Sequence, residues 1–210
     1  PEQPLVNGLV DELKADKKLS KLIIVGPEKQ GAQLEGSKEF AKNFMTKYHI
    51  PTARFKSFNN HNNNQITDYL KSHKPPFVIK ADGLAAGKGV FICKTLEDAK
   101  KTADDILINN KFGESGNKIV IESFLDGVEL SMFILTDGNN YKILPSAKDY
   151  KRVGENDTGL NTGGMGAISP VPFLTKSLLK KIKKTIIEPT LTGLKRENIH
   201  YSGFLFFGLM

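Results

Sequence analysis

Two short apolar runs on either side of a small-residue loop constrain the fold of this chain more than any other feature. Residues 77–79 and 90–93 are rich in β-branched and aromatic side chains, and the loop between them holds Gly83, Gly87 and Gly89. Short runs of this kind bounded by glycines are typical of β-strands. Residues 77–93 therefore predict a strand, a glycine loop and a second strand.

The loop also carries the chemistry expected of a phosphate site. Lys80 stands at the end of the first run and Lys88 lies inside the loop. Glycines let backbone N–H groups approach a ligand closely, and two ammonium groups supply charge for phosphate. The stretch thus predicts a cradle for a nucleoside triphosphate. The alternative is a glycine-rich hairpin with incidental lysines, because glycines also mark ordinary turns.

The loop does not fit the P-loop pattern Gly-x-x-x-x-Gly-Lys-[Ser/Thr]. Only three residues separate Gly83 from Gly87, and Lys88 is followed by Gly89 instead of a hydroxyl residue. A P-loop also opens a helix, whereas a second strand is predicted here. A different kind of nucleotide site is therefore expected.

Composition excludes several other classes of protein. The 210 residues are 39% hydrophobic and 25% charged, which is ordinary for a globular protein. The net charge of +7 would suit an anionic partner, but the lysines are dispersed, and a phosphate-rich substrate accounts for the bias as well as nucleic acid does. No apolar stretch approaches the roughly 20 residues that span a bilayer. We therefore expect small-molecule partners, with no nucleic acid and no membrane.

The chain has one cysteine, Cys93, and it lies within an apolar run. A buried structural thiol is the default for such a residue. The absence of a possible intrachain disulfide fits a reducing compartment, so we predict a cytoplasmic protein.

Periodicity along the chain predicts a mixture of helices and strands. Ser37 and Thr95 are placed to cap two of the helices, and Asp137-Gly138 favours a hairpin turn. The fold class is therefore α/β (α+β). The predicted helices cover residues 5–13, 37–48, 96–107 and 175–188, with a short one around Ile66 and Leu70, and the predicted strands cover residues 21–25, 118–123, 129–135, 141–147 and 201–210.

A second unusual stretch, residues 148–168, is polar and rich in glycine. A loop of this length is uncommon in a compact domain and is usually functional. The alternative is a disordered surface loop, which does not require so many chemically different polar groups. The candidate groups are Asp149, Lys151, Arg152, Asp157 and Asn161, with Gly163, Gly164 and Gly166 allowing close backbone approach.

Four motifs together resemble the phosphoribosylamine–glycine ligases, which are ATP-grasp enzymes of purine biosynthesis. The motifs are Gln33–Lys38, Lys80–Val90, Asp157-Thr-Gly and Asn161–Ala167, and the resemblance covers nearly the whole chain. It implies an ATP-grasp fold preceded by the tail of a Rossmann-like domain. Another ATP-grasp carboxylate–amine ligase would share the loop around Lys80 but not the Asn161–Ala167 motif.

The resemblance implies roles in ATP binding. Lys80 is expected to contact the phosphates, the loop to act as a flap over them, residues 122–125 to read adenine through main-chain groups, and Glu129 to bind the ribose hydroxyls. The expected ATP-binding residues are Lys80, Gly83, Gly87, Lys88, Gly89, Glu122, Ser123, Phe124, Leu125 and Glu129.

It also implies the reaction: ATP phosphorylates the carboxylate of glycine, and the amine of 5-phosphoribosylamine attacks the glycyl phosphate. No enzyme nucleophile is required, so catalysis comes from positioning and charge neutralisation, with Lys80 and Arg152 as the expected catalytic residues. The cofactor is expected to be Mg²⁺ or Mn²⁺, with no ligands in this chain and its ligands beyond Met210. The expected substrate-binding residues are Glu35, Ser37, Lys38, Asp149, Lys151, Arg152, Asp157, Asn161, Thr162, Gly163, Gly164 and Met165.

The chain departs from the family pattern at Ser123, Tyr150 and Leu160, where glutamate, histidine and proline are common. A helix followed by a strand at the start, and a strand that ends abruptly at the other end, predict truncation at both ends. The fragment alone is therefore expected to be inactive, and a non-catalytic ATP-binding module is an alternative.

The predicted segments are 1–36, the tail of an N-terminal α/β domain; 37–76, a helical entry; 77–135, a nucleotide-binding lid; and 136–210, part of the central substrate subdomain.

Overall fold

The computed structural model of the protein describes residues 2–62, 64–155 and 158–210. The helices are α1 Glu2–Asn7, α2 Leu9–Ala15, α3 Lys29–Gly36, α4 Lys38–Lys47, α5 Asn64–Lys71, α6 Leu96–Leu107, α7 Lys176–Ile182 and α8 Glu188–Arg196, with short 3₁₀ turns at Lys17–Leu19, Asn60–Asn62 and Gly113–Gly116. The strands are β1 Gly26–Pro27, β2 Phe55–Asn59, β3 Phe77–Ala81, β4 Val90–Cys93, β5 Lys118–Ser123, β6 Leu130–Thr136, β7 Tyr141–Ile143, β8 Lys148–Gly154, β9 Thr158–Ile168 and β10 Tyr201–Leu209.

The chain divides into two compact units. Unit 1 comprises the residues up to Leu9 together with Ala32–Leu125, and unit 2 comprises Val10–Gly31 and Asp126–Met210. The four-segment division expected from the sequence stays a prediction.

Unit 1 is built on an antiparallel sheet in the order β2-β5-β3-β4. Strands expose alternate residues to opposite faces, and one face of this sheet packs against α5 and α6. The other face carries Val78 and Lys80 of β3 beside Val120 and Glu122 of β5. The core on the helix-covered side consists of Phe58, Ile66, Leu70, Phe77, Ile79, Ala81, Cys93, Ala99, Ala103, Ile106, Ile119 and Ile121.

Two helices of unit 1 begin at the residues that the sequence predicts. The Ser37 hydroxyl accepts the backbone N–H of Phe40 at the start of α4, and the Thr95 hydroxyl accepts that of Asp98 at the start of α6. Each bond satisfies a backbone donor that has no partner within the helix. The predicted caps are confirmed.

Cys93 is buried, as predicted, in the last position of β4. Its thiol donates to the Thr102 hydroxyl of α6 at 3.5 Å. Burial raises the pKa of the Cys93 thiol, because the thiolate loses hydration in the core. The side chain therefore acts as a packed, unreactive group.

Unit 2 contains a second antiparallel sheet in the order β1-β10-β6-β7, and β8 pairs with β9 in a separate two-stranded sheet. Met132 and Ile134 of β6 and Leu205 of β10 are buried on one face of the larger sheet. Phe204 and Phe206 project from its other face and are exposed. The helical segment runs through α7, a π-helical turn at Lys183–Ile187 and α8.

The predicted strand over residues 21–25 is wrong. Residues 22–25 have no regular structure, and the pairing with β10 begins only at Gly26. Ile23 is 89% exposed. An apolar run becomes a strand only where another backbone pairs with it, and nothing in the described ranges pairs with residues 22–25.

The polar stretch 148–168 forms a hairpin instead of the predicted loop. Strands β8 and β9 pair antiparallel with register shifts around Arg152. Because polar residues and glycines occupy both faces, the stretch lacks the alternation by which a strand is recognised. Sequence reasoning therefore missed backbone pairing that does not depend on a buried face.

Three boundaries also differ from expectation. The helix predicted over residues 5–13 is two helices separated at Gly8, whose φ of 103° lies in the left-handed region. The strand predicted over 141–147 ends at Ile143, and the helix predicted over 175–188 continues to Arg196.

Within the ranges described, no helix is both long and apolar enough to cross a bilayer.

Candidate functional site

The central charged cluster of unit 1 consists of one buried carboxylate and two lysines. Glu122 Oε2 accepts a hydrogen bond from Lys42 Nζ at 2.7 Å, and Lys80 Nζ lies 2.8 Å from Glu122 Oε1. Lys80 and Glu122 are diagonal neighbours on β3 and β5, because Val78 is the residue directly opposite Glu122. We call these three side chains the lysine–glutamate cluster.

Exposure separates the two lysines of the cluster. The Lys80 side chain is 26% exposed and that of Lys42 is 8% exposed. Lys42 also donates to the Thr52 hydroxyl at 2.7 Å, and its ammonium lies 5.7 Å from the centroid of the Phe55 ring. Lys80, which the sequence predicts as a phosphate contact, is thus the ammonium that a ligand can reach.

Sequence reasoning missed Lys42. Its one signal was its position four residues after Lys38, which places both lysines on the same face of α4. A lysine in an amphipathic helix is ordinarily solvated, and only the partner on β5 reveals that this one is buried.

The base of the glycine loop is fastened to the start of α4. The Asp82 carboxylate accepts the backbone N–H of Glu39 at 2.7 Å and the Ser37 hydroxyl at 3.0 and 3.1 Å. Lys38 donates its backbone N–H to the Asp82 carbonyl and its ammonium to the carbonyls of Asp82 and Gly83. Ser37 and Lys38, predicted to bind substrate, therefore hold the loop base in this structure.

Burial lowers the pKa of the Lys38 ammonium, although the carboxylates of Asp82 and Glu35 act in the opposite direction. Glu35 itself is exposed near the end of α3. The predicted contact loop around residues 34–38 is thus the end of one helix and the start of the next.

The far side of the loop base is held by the 3₁₀ turn Gly113–Gly116. The Gly83 N–H donates to the Ser115 carbonyl at 3.0 Å, and the Ser115 hydroxyl donates to the Leu84 carbonyl at 2.7 Å. A Cβ at Gly83 would lie 2.8 Å from Ser115 Cα, so only glycine fits. The Gly83 N–H is therefore committed to the fold and does not point to a ligand.

The tip of the loop differs from its base. Ala86 and Gly87 have φ values of 48° and 73°, and no atom lies within 4 Å of a Cβ built on Gly87. Lys88 is exposed, and Gly89 closes the loop by accepting the Ala81 N–H. The tip has the open backbone and the charge that the sequence predicts for a flap.

Residues 123–125, predicted to read adenine, follow β5 directly. The Ser123 N–H donates to the Arg54 carbonyl at 2.9 Å and is used by the fold. Phe124 and Leu125 are exposed apolar side chains. This segment offers an apolar surface beside the remaining main-chain groups.

A second charged cluster lies in unit 2 at the start of β8. Lys151 Nζ lies 3.2 Å from Asp149 Oδ2 and 3.4 Å from Glu129 Oε1. Burial acts to lower the pKa of Lys151, but the two carboxylates outweigh it and raise that pKa. The predicted ribose contact, Glu129, and two predicted substrate contacts are therefore brought together.

The predicted substrate residues Arg152 and Asn161–Met165 lie on strands β8 and β9. Arg152 pairs with Asn161 along the backbone, and the Thr162 hydroxyl bridges the two strands by donating to the Lys151 carbonyl. Gly163 and Gly164 have open space around them, and Met165 is exposed. Asp157 and the Asn161 side chain lie outside the described part of the structure.

Metal ligands were expected to lie outside this chain. Across residues 2–62, 64–155 and 158–210, no three His, Cys, Asp or Glu side chains come together in a way that could hold a metal ion.

The class of fold follows from likeness to solved structures. The structure is similar to phosphoribosylamine–glycine ligase from Thermotoga maritima, with a TM-score of 0.82 and 40% identity over 93% of this chain and 50% of that one. Two more distant likenesses show the fold alone. The D-alanine–D-alanine ligase of Coxiella burnetii matches with a TM-score of 0.67 and 16% identity over 96% of this chain and 49% of that one. The biotin carboxylase domain of the Hydrogenobacter thermophilus 2-oxoglutarate carboxylase matches with a TM-score of 0.70 and 17% identity over 98% of this chain and 43% of that one. The predicted ATP-grasp fold is confirmed.

The family follows from the sequence. A family model described as "Phosphoribosylglycinamide synthetase, ATP-grasp (A) domain" matches residues 36–210. The whole chain is 48% identical to the phosphoribosylamine–glycine ligase of Pasteurella multocida, of which it covers 48%, and 48% identical to the chloroplastic one of Arabidopsis thaliana, of which it covers 38%. The chain therefore belongs to the phosphoribosylglycinamide synthetase family, as predicted, and spans about half the length of the curated bacterial relatives it matches.

Proposed function

We propose that this chain is the ATP-binding part of a ligase that joins glycine to 5-phosphoribosylamine, giving glycinamide ribonucleotide, ADP and phosphate. The observation that carries the proposal is the partly exposed Lys80 ammonium on β3, one residue before a glycine loop whose base is fastened and whose tip is open. Membership of the family supports the choice of reaction.

The residues of unit 1 fit the phosphates of ATP. Lys80 supplies a fixed ammonium, because β3 is an interior strand of its sheet, and Lys88 supplies a second one on the loop tip. Gly87 has no atom within 4 Å of where a Cβ would lie, so the backbone at the tip can approach a phosphate chain closely. The related biotin carboxylase domain was solved with MgADP, ADP and bicarbonate, which supports a nucleotide role for the fold.

The base is assigned to residues of unit 1 and the ribose to a residue of unit 2. Phe124 and Leu125 are exposed apolar side chains that can cover a base, and main-chain groups beyond Ser123 can read its edge. Glu129 offers a carboxylate to the ribose hydroxyls, and Lys151 Nζ lies 3.4 Å from one of its oxygens.

Unit 2 supplies the groups proposed for the acceptor side. Asp149 and Lys151 form an ion pair beside Arg152 on β8, and the glycines of β9 leave room for a substrate. Transfer of phosphate from ATP to the glycine carboxylate places negative charge on the transferred group, which Lys80 and Arg152 are proposed to neutralise. The phosphoribosylamine amine then attacks the acyl phosphate and releases phosphate, without a protein nucleophile.

The family implies a divalent cation, Mg²⁺ or Mn²⁺. The described residues do not fit such an ion, because no cluster of acidic or imidazole ligands forms among them. The steps assigned to this chain are therefore binding, orientation and charge neutralisation by its own lysines and arginine. The single cysteine, a buried free thiol, agrees with a reducing compartment, which we propose to be the cytoplasm.

Nucleotide binding is tested by replacing Lys80 with alanine and titrating the 210-residue chain with ATP in a calorimeter. A hydrogen bond to a charged group contributes about 1.5–3 kcal/mol, so affinity should fall at least about tenfold. Lys94→Ala is the matched control, since Lys94 is an exposed lysine just after β4. Equal affinities for the Lys80 variant and the unaltered chain would contradict the proposal.

The reaction itself is tested in a protein of the relatives' full length that carries this sequence over the matching residues. Phosphate release from ATP is measured with phosphoribosylamine and with glycine, alanine or no amino acid. We expect release only with glycine. Equal turnover with unrelated carboxylates would favour another ATP-grasp ligase, and ATP binding without turnover would favour a binding module.

A further inference from the structure

We propose that Lys42 is a positioning residue that leaves the Lys80 ammonium available for an anionic ligand by neutralising Glu122 from the buried side. The inference rests on the proposed function, in which Lys80 contacts the phosphates of ATP. The observation behind it is the unequal way in which one buried carboxylate is shared by two lysines.

The two oxygens of Glu122 differ in their bonding. Oε2 accepts a hydrogen bond from Lys42 at 2.7 Å. Oε1 is buried and accepts no hydrogen bond from the described residues, although Lys80 Nζ lies 2.8 Å away. The Lys80 ammonium therefore pairs with Oε1 by charge, in a geometry that is poor for a hydrogen bond. An ammonium carries three N–H donors, so Lys80 keeps donors for a ligand.

Lys42, by contrast, is held entirely by the protein. Its ammonium donates to Glu122 and to the Thr52 hydroxyl, and it lies near the Phe55 ring. The whole residue is 7% exposed. It is therefore unable to meet a ligand in this conformation, and any effect it has on ligand binding must pass through Glu122.

Charge balance explains why a second lysine is needed. With both lysines protonated and Glu122 ionised, the lysine–glutamate cluster carries one net positive charge. Without Lys42 the cluster would be neutral, because a buried carboxylate requires a partner and Lys80 is the one that remains. Lys80 would then turn its donors toward Glu122, and the charge offered to phosphate would be lost.

The environment of Lys42 agrees with this division of roles. Burial lowers the pKa of the Lys42 ammonium, and Glu122 opposes that effect through its hydrogen bond and its charge. The charged form of Lys42 thus depends on its contact with Glu122. Lys80 is more exposed and gains part of its hydration from solvent.

The test compares Lys42→Met, Lys42→Arg and Lys80→Met, each titrated with ATP and separately with adenosine. We expect Lys42→Met to bind ATP about tenfold more weakly, with little change for adenosine, because only the phosphates meet Lys80. Lys42→Arg keeps the charge and should recover most of the loss.

A purely structural role for Lys42 would give a different pattern. Loss of packing around α4 would weaken ATP and adenosine alike, and that result would overturn the inference. If Lys80→Met binds ATP more weakly but Lys42→Met binds it as the unaltered chain does, the inference about Lys42 is overturned and the proposed nucleotide site stands. An unaffected Lys80→Met would overturn the proposed nucleotide site as well, since both assignments require the Lys80 ammonium to meet phosphate.

Removal of one partner from a buried ion pair is strongly destabilising, so Lys42→Met could fail to fold. The double variant Lys42→Met/Glu122→Gln removes both buried charges and is expected to fold. It should bind ATP more tightly than Lys80→Met does, because its Lys80 no longer has a carboxylate to neutralise. Affinity as low as that of Lys80→Met would overturn the inference.

Discussion

The β3–β4 and β8–β9 hairpins are both antiparallel pairs, yet they are stabilised in different ways. Glycines lie in the loop between β3 and β4 of the first hairpin and within β9 of the second. Strand β3 has a partner on each side, β5 and β4, and its face toward α6 is buried. Strands β8 and β9 pair only with each other among the described strands, and most of β9 is exposed. The first hairpin belongs to a core, whereas the second depends mainly on its own backbone pairing.

This difference separates two uses of glycine. In the first hairpin, a Cβ at Gly83 would clash with Ser115, so glycine is required there. Open space around the backbone is found at the tip, around Gly87. In the second, Gly163 and Gly164 have no neighbours that a side chain would meet. The base of the first hairpin is thus fixed by packing, while its tip and the surface of β9 are open.

The largest expected difference between the hairpins is the cost of truncating a core isoleucine. Ile79 of β3 is 0% exposed and Ile168 of β9 is 48% exposed. We expect Ile79→Ala to lower the free energy of unfolding of unit 1 by about 2–5 kcal/mol, and Ile168→Ala to lower that of unit 2 by about 1 kcal/mol or less. Amide hydrogen exchange in the strands of each unit measures both values. Similar losses would show that the second hairpin also has a core.

A smaller effect is expected from adding one methyl group at a glycine. Gly83→Ala places a Cβ against the Ser115 backbone and should cost about 1–3 kcal/mol through forced displacement of the loop base. Gly163→Ala meets no atom within 4 Å and should change stability by no more than about 0.5 kcal/mol. Urea unfolding of the two variants provides the comparison. A neutral Gly83→Ala would mean that the loop base is free to shift.

The smallest effect concerns Lys151 of the second hairpin. Its pKa lies above the ordinary 10.5 because Asp149 and Glu129 outweigh the effect of burial. The stability that this group contributes is present below pH 10.5 and is lost as the pH rises through the folded-state pKa. NMR titration of labelled lysine should place the midpoint of Lys151 above 10.5, and Glu129→Gln should lower it. A midpoint unaffected by Glu129→Gln would exclude that ion pair in solution.

Sequence reasoning succeeded where local pattern and tertiary structure agree. The strand–loop–strand unit, the caps at Ser37 and Thr95 and the buried Cys93 each depend on neighbours in sequence, and each is confirmed. The family and its ATP-grasp fold were also predictable, because several motifs occur in the right order. The roles assigned to individual residues within the site stay predictions.

The larger errors concern which backbone segments and side chains meet, because local composition does not decide that. Residues 21–25 have the composition of a strand but pair with no strand among the described residues, whereas residues 148–168 lack that composition and do pair. The contact of Lys42 with Glu122 spans 80 positions and leaves no trace in local periodicity. The functions of Gly83 and Lys38 within the loop base likewise depend on groups that only the fold brings near.

The buried position of Cys93 makes its thiol a probe of local opening in this protein. It is the only cysteine in the sequence, it ends the strand that follows the glycine loop, and its thiol is closed in against α6. A thiol reagent can react with it only when β4 separates from that helix, so the rate of modification reports how often the first hairpin opens. Because no other thiol competes, that rate can be read from the intact protein by mass alone, with and without nucleotide, and without introducing a label.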